Sequence, residues 1–196
     1  MTLTSDMPVF NSYRDFICNR KFLTKEECEQ LISVRESLTI NEGTIEGGQQ
    51  EEQVRKCRLT WLNRNDEFGW LYDKIQDFVE NGNKRYYQFD IMGFEPLQYT
   101  VYDQVDDHYE MHIDCGVRLY NTDYHRKLSF SVQLSDPETY TGCDLEMWLA
   151  NNSFLKTPRE QGAITVFSSS VPHRVTQLLS GSRYVIVGWI YGPPFR

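Results

Sequence analysis

Apolar residues along this chain change their spacing about two-fifths of the way through. In the first part they recur at helical intervals. Thr24-Lys25-Glu26-Glu27 is a capping box, in which the Thr hydroxyl and the Glu carboxylate three residues later satisfy the first amides of a helix. Cys28, Leu31, Ile32 and Leu38 follow at near-helical spacing, so a helix is predicted from about Lys25 to Ser37 with one face laid on a core. Asn41 to Gln53 is rich in Gly, Glu and Gln and has little to bury, which predicts a loop; its acidic part, Glu42 to Glu52, is expected to act as a lid over a substrate. Arg55 to Leu62 reads as a strand. Trp70, Leu71, Ile75, Phe78 and Val79 give a second amphipathic helix over Glu67 to Asn81, stopped by Asn81-Gly82.

From Arg85 onward the runs are short, β-branched and aromatic. Strands are predicted at Tyr86 to Ile91, Leu97 to Tyr102, Tyr109 to Ile113, Leu128 to Leu134, Leu145 to Leu149, Ile164 to Phe167, Arg174 to Leu178 and Tyr184 to Tyr191. About eight strands divided by turn residues imply an antiparallel sandwich or barrel behind two supporting helices. The 196 residues suffice for one substantial core, so a single domain spanning 1–196 is expected, with helical support over about 1–84 and the β core over about 85–196.

Composition narrows the function. A formal net charge of −8 argues against a general nucleic-acid binder and leaves room for a basic peptide partner. No apolar stretch approaches a membrane span and the start, Met1 to Asp6, lacks the order of a secretion signal, so a soluble, cytoplasmic protein is expected. Five widely and irregularly spaced cysteines suit reduced thiols better than a disulfide framework or a paired zinc site.

Chemistry concentrates in Asp107 to Asp114. Polar and apolar residues alternate there, so a strand would put His108, Glu110, His112 and Asp114 on one face, with Tyr109, Met111 and Ile113 on the other. An imidazole and a carboxylate two apart on a strand can converge on one ion. A reactive ferrous site needs a third ligand on the same triangular face, and His173, in the turn after a strand, is the best candidate among the four histidines. Ten residues later Arg183 opens the last strand, where a cation should be rare unless paired. A dicarboxylate would be a suitable partner, because the guanidinium fork grips a carboxylate with two charge-assisted hydrogen bonds.

From about Phe10 to Arg196, and most strongly from Leu97 onward, the chain resembles the prolyl-4-hydroxylase-like branch of the Fe(II)/2-oxoglutarate dioxygenases. The resemblance rests on H-x-D at His112 and Asp114, the distal His173, Arg183 and the ending Arg183-Tyr184-Val185-Ile186-Val187-Gly188-Trp189-Ile190. It implies a double-stranded β-helix of jelly-roll or cupin-like type packed on N-terminal helices. It further implies Fe(II) held by His112, Asp114 and His173, with 2-oxoglutarate paired to Arg183 and bordered by Tyr102. O₂ would complete the reaction, succinate and CO₂ would be released, and ascorbate would serve as a reductant. The retained carboxylate of Asp114 implies hydroxylation, since related halogenases replace it. The first-choice substrate is a prolyl residue in a peptide or protein, with a free amino acid or other small molecule as the alternative.

Tyr109 matches the family's second pocket tyrosine, although the alternation would face it away from the metal. Thr141-Gly142-Cys143-Asp144-Leu145 departs from the Gly-Gly-Glu-Leu common in relatives, a departure that bears on packing or substrate contacts. Arg126 and Lys127 are expected as solvated loop charges, Trp189 as a core aromatic, Cys115 as packing, and His108 and His125 as surface residues or supports behind the ligands. Two rival readings are a cupin-like module that binds without turnover and a hydrolytic zinc enzyme using Glu110 as base. Oligomeric state is not encoded in any of these motifs.

Overall fold

The computed structural model describes residues 15–43, 51–115, 123–148 and 153–194. In chain order its strands are β1 (Phe16–Asn19), β2 (Asn41–Glu42), β3 (Arg55–Lys56), β4 (Arg58–Leu62), β5 (Gly93–Phe94), β6 (Leu97–Tyr102), β7 (His108–His112), β8 (His125–Gln133), β9 (Tyr140–Gly142), β10 (Leu145–Trp148), β11 (Phe154–Lys156), β12 (Ile164–Ser168), β13 (His173–Val175), β14 (Leu178–Gly181) and β15 (Arg183–Gly192). The larger antiparallel sheet runs β1-β12-β8-β15-β6-β4-β2, with β5 also on β15. A second sheet runs β11-β10-β13-β7-β3, and β14 pairs with β9. Two facing antiparallel sheets with helices behind the larger one form a jelly-roll of double-stranded β-helix type.

Helix α1 (Lys25–Ser33) starts at the expected capping box: the Thr24 hydroxyl accepts from the Glu27 amide and the Glu27 carboxylate accepts from the Thr24 amide. A 3₁₀ turn, Val34–Ser37, completes the stretch. Ser33 and Ser37 donate their hydroxyls to carbonyls three residues back, a local competition that tightens a helix end. Helix α2 (Gly69–Gly82) follows. Its buried Leu71, Tyr72, Ile75 and Val79 join Cys28 and Leu31 of α1 against Leu97, Tyr99, Val101, Leu128, Val132 and Ile186 of the larger sheet. No helix among the described residues is long and apolar enough to cross a membrane.

α2 ends at Gly82 as expected, and the chain passes directly into a π turn, Asn83–Tyr87, closed by Gln88 in the left-handed region at φ 55°. Gly82 also lets β1 approach, since a Cβ there would lie 2.2 Å from Ile17 Cδ1. Three expected strands are corrected. The strand expected at Tyr86 to Ile91 is absent. Asn83 ties this segment into a turn, its side chain donating to the Phe89 carbonyl and accepting from the Phe89 amide (2.9 and 3.0 Å). The aromatics Tyr87 and Phe89 stack as anchors of the turn, which is why the run looks like a strand by composition.

Arg55 to Leu62 is two strands, one in each sheet, with Cys57 at the crossing. Arg174 to Leu178 is likewise split between β13 and β14, which belong to different ladders. Within Asn41 to Gln53, Asn41–Glu42 pairs with β4, while residues 44–50, and with them most of the expected lid, lie outside the described residues. Leu149, the last residue of one expected strand, also lies outside them.

The N-terminal part contributes strands β1 to β4 to the sheets as well as helical support. All five cysteines are free thiols.

Candidate metal centre and its cavity

Between the two sheets lies a cavity of about 610 Å³. Alternation on the larger sheet builds one wall: Gln98, Thr100 and Tyr102 of β6 and Arg183, Val185, Val187 and Trp189 of β15 line it, while Leu97, Tyr99, Val101, Ile186 and Ile190 face the helices. The second sheet supplies the chemistry. His112, at the end of β7, is registered directly against His173, the first residue of β13. Asp114 sits in the turn beyond β7, where its amide and that of Cys115 both donate to the Ser169 carbonyl (2.9 and 3.0 Å).

One ligand atom from each of His112, Asp114 and His173 falls within 4.8 Å of the others, a grouping that can hold a metal ion. His112 Nε2 is 3.6 Å from Asp114 Oδ1, and His173 Nε2 is 3.5 Å from Asp114 Oδ2. The rest of each side chain is tied down. Nδ1 of His112 lies 2.7 Å from the Glu110 carbonyl and Nδ1 of His173 lies 2.9 Å from the Val171 carbonyl. A proton on Nδ1 makes each of these a hydrogen bond and leaves Nε2 as the lone-pair donor that a metal requires. Asp114 Oδ2 accepts from the Ser129 hydroxyl at 2.7 Å, and Ser169 Oγ lies 2.9 Å from Ser129 Oγ.

Electrostatics favour the metal-binding forms of His112 and Asp114. Burial, reinforced by His173, outweighs the pull of Asp114 and brings His112 down to about 4, so its imidazole is neutral at physiological pH. Burial of Asp114 works against its charge, but His173, His112, Ser129 and Trp189 together hold the carboxyl below its ordinary value. Neutral imidazoles and an ionised carboxylate are the forms that bind divalent metals.

The simple alternation expected over His108 to Asp114 does not hold. Across from β7, Val175 pairs with Tyr109 while His173 pairs with His112, so Glu110 and Met111 oppose the single residue Arg174. This is a β-bulge, which turns the strand by one residue. Tyr109 and His112 therefore share the cavity side, their rings stacked 3.7 Å apart, and Tyr109 lines the cavity. Glu110 is exposed and His108 sits away from the cavity, its ring nitrogens facing the Asp106 and Gln53 carbonyls.

Arg183 is buried and points into the same cavity. Its Nε donates to Gln133 Oε1 at 3.0 Å, and Gln133 Nε2 donates in turn to the Tyr140 hydroxyl at 2.8 Å. Tyr102 is its neighbour across the β6–β15 ladder, with the Arg183 Cζ 5.6 Å from the ring centre. Burial holds the Tyr102 phenol well above its ordinary value, so it stays protonated. Trp189 is buried as expected but also lines the cavity.

Arg126 and Lys127 are not loop charges. Both lie on β8; Lys127 is buried, and Arg126 makes two hydrogen bonds to Glu95 (2.6 and 2.7 Å) with Cζ 3.8 Å over the Trp189 ring. Sequence reasoning also missed Arg55, which lines the cavity, and the supports Ser129, Ser169 and Gln133. A serine on a strand carries no local signal; only its spacing from the ligands in space reveals it.

Two histidines and a carboxylate that converge at the wall of a cavity also holding a buried arginine can bind one metal ion beside an anionic ligand. Residues 97–191 match the family model described as the 2OG-Fe(II) oxygenase superfamily. Residues 97–191, a little under half of the chain, therefore resemble that superfamily, and prolyl hydroxylases stand among the chain's relatives and fold neighbours.

A PKHD-type hydroxylase from Hyphomonas neptunium is 38% identical over 86 residues, covering 43% of this chain and 38% of the relative. Prolyl 4-hydroxylase 5 from Arabidopsis thaliana is 33% identical over 102 residues, covering 47% of this chain and 32% of the relative. These matches therefore span well under half of the curated relatives' own length. Among solved structures, a Trichoplax adhaerens prolyl hydroxylase in complex with a hypoxia inducible factor peptide superposes with a TM-score of 0.76 at 19% identity, over 90% of this chain and 83% of that one. A Pseudomonas putida prolyl-4-hydroxylase gives 0.73 at 19% identity, over 92% and 94%. At such identity these two show the shared fold.

Proposed function

We propose that this chain is an Fe(II)- and 2-oxoglutarate-dependent hydroxylase acting on a prolyl residue in a peptide or protein. The convergence of His112, Asp114 and His173 within 4.8 Å at the wall of a cavity that also holds Arg183 carries this reading. His112, Asp114 and His173 would hold the metal, which would supply the redox chemistry. With 2-oxoglutarate and O₂, bound ferrous iron supplies the oxidation that places a hydroxyl on a C–H carbon, releasing succinate and CO₂.

The protein's own groups prepare that chemistry. The Glu110 and Val171 carbonyls fix both imidazoles with Nε2 presented, and the Ser129 hydroxyl fixes the carboxylate. Arg183 binds the distal carboxylate of 2-oxoglutarate, its Nε anchored by Gln133 so that the guanidinium plane is set before the cosubstrate arrives. Tyr102 borders that carboxylate and stays protonated. Prolyl hydroxylases among the relatives and fold neighbours support the prolyl substrate.

Anaerobic titration with Fe(II) and 2-oxoglutarate tests the cofactor site. A visible charge-transfer band is expected in the wild type and is lost or weakened in both His173→Ala and Arg183→Ala. Prolyl peptides incubated with the aerobic enzyme should then gain the mass of one oxygen. Tight zinc binding with no such band would return the zinc-hydrolase and binding-module readings.

A further inference from the structure

Behind the cavity, Arg183 is held by a chain of side chains that takes no part in the metal centre. Its Nε donates to Gln133 Oε1 at 3.0 Å, and Gln133 Nε2 donates to the Tyr140 hydroxyl at 2.8 Å. A guanidinium nitrogen can only donate, so the Gln133 amide must present its oxygen to Arg183 and its NH₂ to Tyr140. The direction of the chain is thereby fixed, and Tyr140 Oη is the acceptor that receives it. Burial holds the Tyr140 phenol above its ordinary value, against the pull of Arg183 and Arg159, so the hydroxyl is neutral.

Tyr140 is itself clamped. It opens β9, opposite Gly181 of β14. Gly181 takes φ 78°, and a Cβ there would lie 2.8 Å from Tyr140 Cα, so glycine lets β14 come this close two residues before Arg183. Arg159 holds strand and ring together: it donates to the Tyr140 and Gly142 carbonyls, each at 3.2 Å, and its Cζ lies 4.4 Å from the Tyr140 ring centre. Asp144 pairs with Arg159 and, at 2.6 Å, with Lys156. Asp144 belongs to the stretch Thr141 to Leu145 that departs from Gly-Gly-Glu-Leu, and its partner is this clamp on Tyr140.

With Nε taken by Gln133, the side-on edge of the Arg183 fork is closed, and a carboxylate must meet Nη1 and Nη2 end-on. The angle of that approach is set by Gln133, and the Gln133 amide is set by Tyr140. We propose that Tyr140 is a positioning residue for the cosubstrate, holding Arg183 through Gln133 and so setting how strongly the cavity prefers a keto acid with a distal carboxylate. This deepens the oxygenase reading above and rests on it.

The test measures that preference. The full chain, loaded with Fe(II) under anaerobic conditions, is titrated with 2-oxoglutarate and with 2-oxopentanoate, which has the same keto acid end and no distal carboxylate. The visible charge-transfer band gives both affinities. Their ratio reads the contact with Arg183 and is blind to a general loss of fold or metal. The wild type should prefer 2-oxoglutarate by about tenfold or more, and Arg183→Ala should lose the preference. In Tyr140→Phe, which removes one oxygen, the ratio should fall about three- to tenfold, the contribution of one hydrogen bond, with the affinity for 2-oxopentanoate unchanged. Gln133→Leu should lower the ratio at least as far, and adding Tyr140→Phe to it should have no further effect, because the two act in series.

An unchanged ratio in Tyr140→Phe overturns the proposal. Equal weakening of both keto acids overturns it too, by making the residue structural, and so does a full further fall in the double variant, which would mean that Tyr140 does not act through Gln133. A band in the wild type with no preference between the two keto acids overturns the proposal and leaves the oxygenase reading standing. No band at all in the wild type sinks that reading and the proposal with it.

Discussion

The two faces of the larger sheet are made by the same strands and obey opposite rules. On β6, Leu97, Tyr99 and Val101 meet the helices, while Gln98, Thr100 and Tyr102 between them line the cavity, and all six are buried. The helix-facing side is held by non-directional apolar contact, and its residues can be exchanged for others of similar volume. The cavity-facing side is held by directed hydrogen bonds: Arg55 to Gln98, Ser129 to Asp114, Arg183 to Gln133 and Gln133 to Tyr140. Buried polar groups of this kind must be satisfied, so this face tolerates few substitutions. One face sets the stability of the sheet and the other its chemistry.

The division predicts that damage on one face is invisible on the other. Asp114→Asn, which keeps the shape and an acceptor for Ser129, should have the largest effect. Metal affinity should fall by more than the roughly 10- to 100-fold that follows loss of a group behind a ligand, with the urea midpoint of the metal-free protein nearly unmoved. Calorimetric titration with Zn(II) and a denaturation curve measure the two quantities. The converse is Leu71→Ala on α2, fully buried against the same sheet. It should cost about 2–5 kcal/mol of stability while the folded fraction binds metal as the wild type does. A large loss of metal affinity there would mean the faces are coupled through the strands.

Ser129→Ala is the intermediate case. The side chain lies on β8 beside Leu128 and Phe130, which face the helices, yet its hydroxyl holds Asp114 Oδ2. Metal affinity should weaken by about 10- to 100-fold with little change in stability, and Ser129→Thr should recover part of it. If Ser129→Ala binds metal normally, Ser169 and the backbone suffice to orient the carboxylate.

What could be read from the chain follows the same division. Periodic burial is a local property, so both helices and the strands on the helix-facing side were visible as repeating apolar positions. His112, Asp114, His173 and Arg183 stood out because charged and metal-binding groups at strand positions conflict with burial. The bulge that brings Tyr109 beside His112 was not visible, because it is a mismatch in count between β7 and β13, far apart in sequence. Arg126 was misplaced for the same reason, its partner Glu95 lying 31 residues away. Arg55 had the signal that singled out Arg183, a cation inside a strand. Lys56 and Arg58 on either side of Cys57 gave the run the look of a solvated polar edge. The turn over Asn83 to Gln88 was hidden by aromatics whose burial suits a strand equally well.

The departure at Thr141-Gly142-Cys143 gives the finest test, where the two rules nearly cancel at one residue. Cys143 adopts φ 53°, in the left-handed region where a side chain costs about 1–2 kcal/mol relative to glycine. Against this strain, its fully buried side chain packs among Tyr102, Tyr140 and Val185, and its sulfur accepts from Arg183 Nη1 at 3.8 Å. Removing one buried carbon and a sulfur forfeits burial worth on the order of 1–2 kcal/mol. Cys143→Gly should therefore leave stability within about 1 kcal/mol of the wild type, whereas Cys143→Ala, which keeps the strain and loses the sulfur, should be the less stable of the two. Urea denaturation of the three proteins decides it. If Cys143→Gly is instead destabilised by several kcal/mol, the thiol contributes more than its area, and its contact with the Arg183 guanidinium is where that excess must lie.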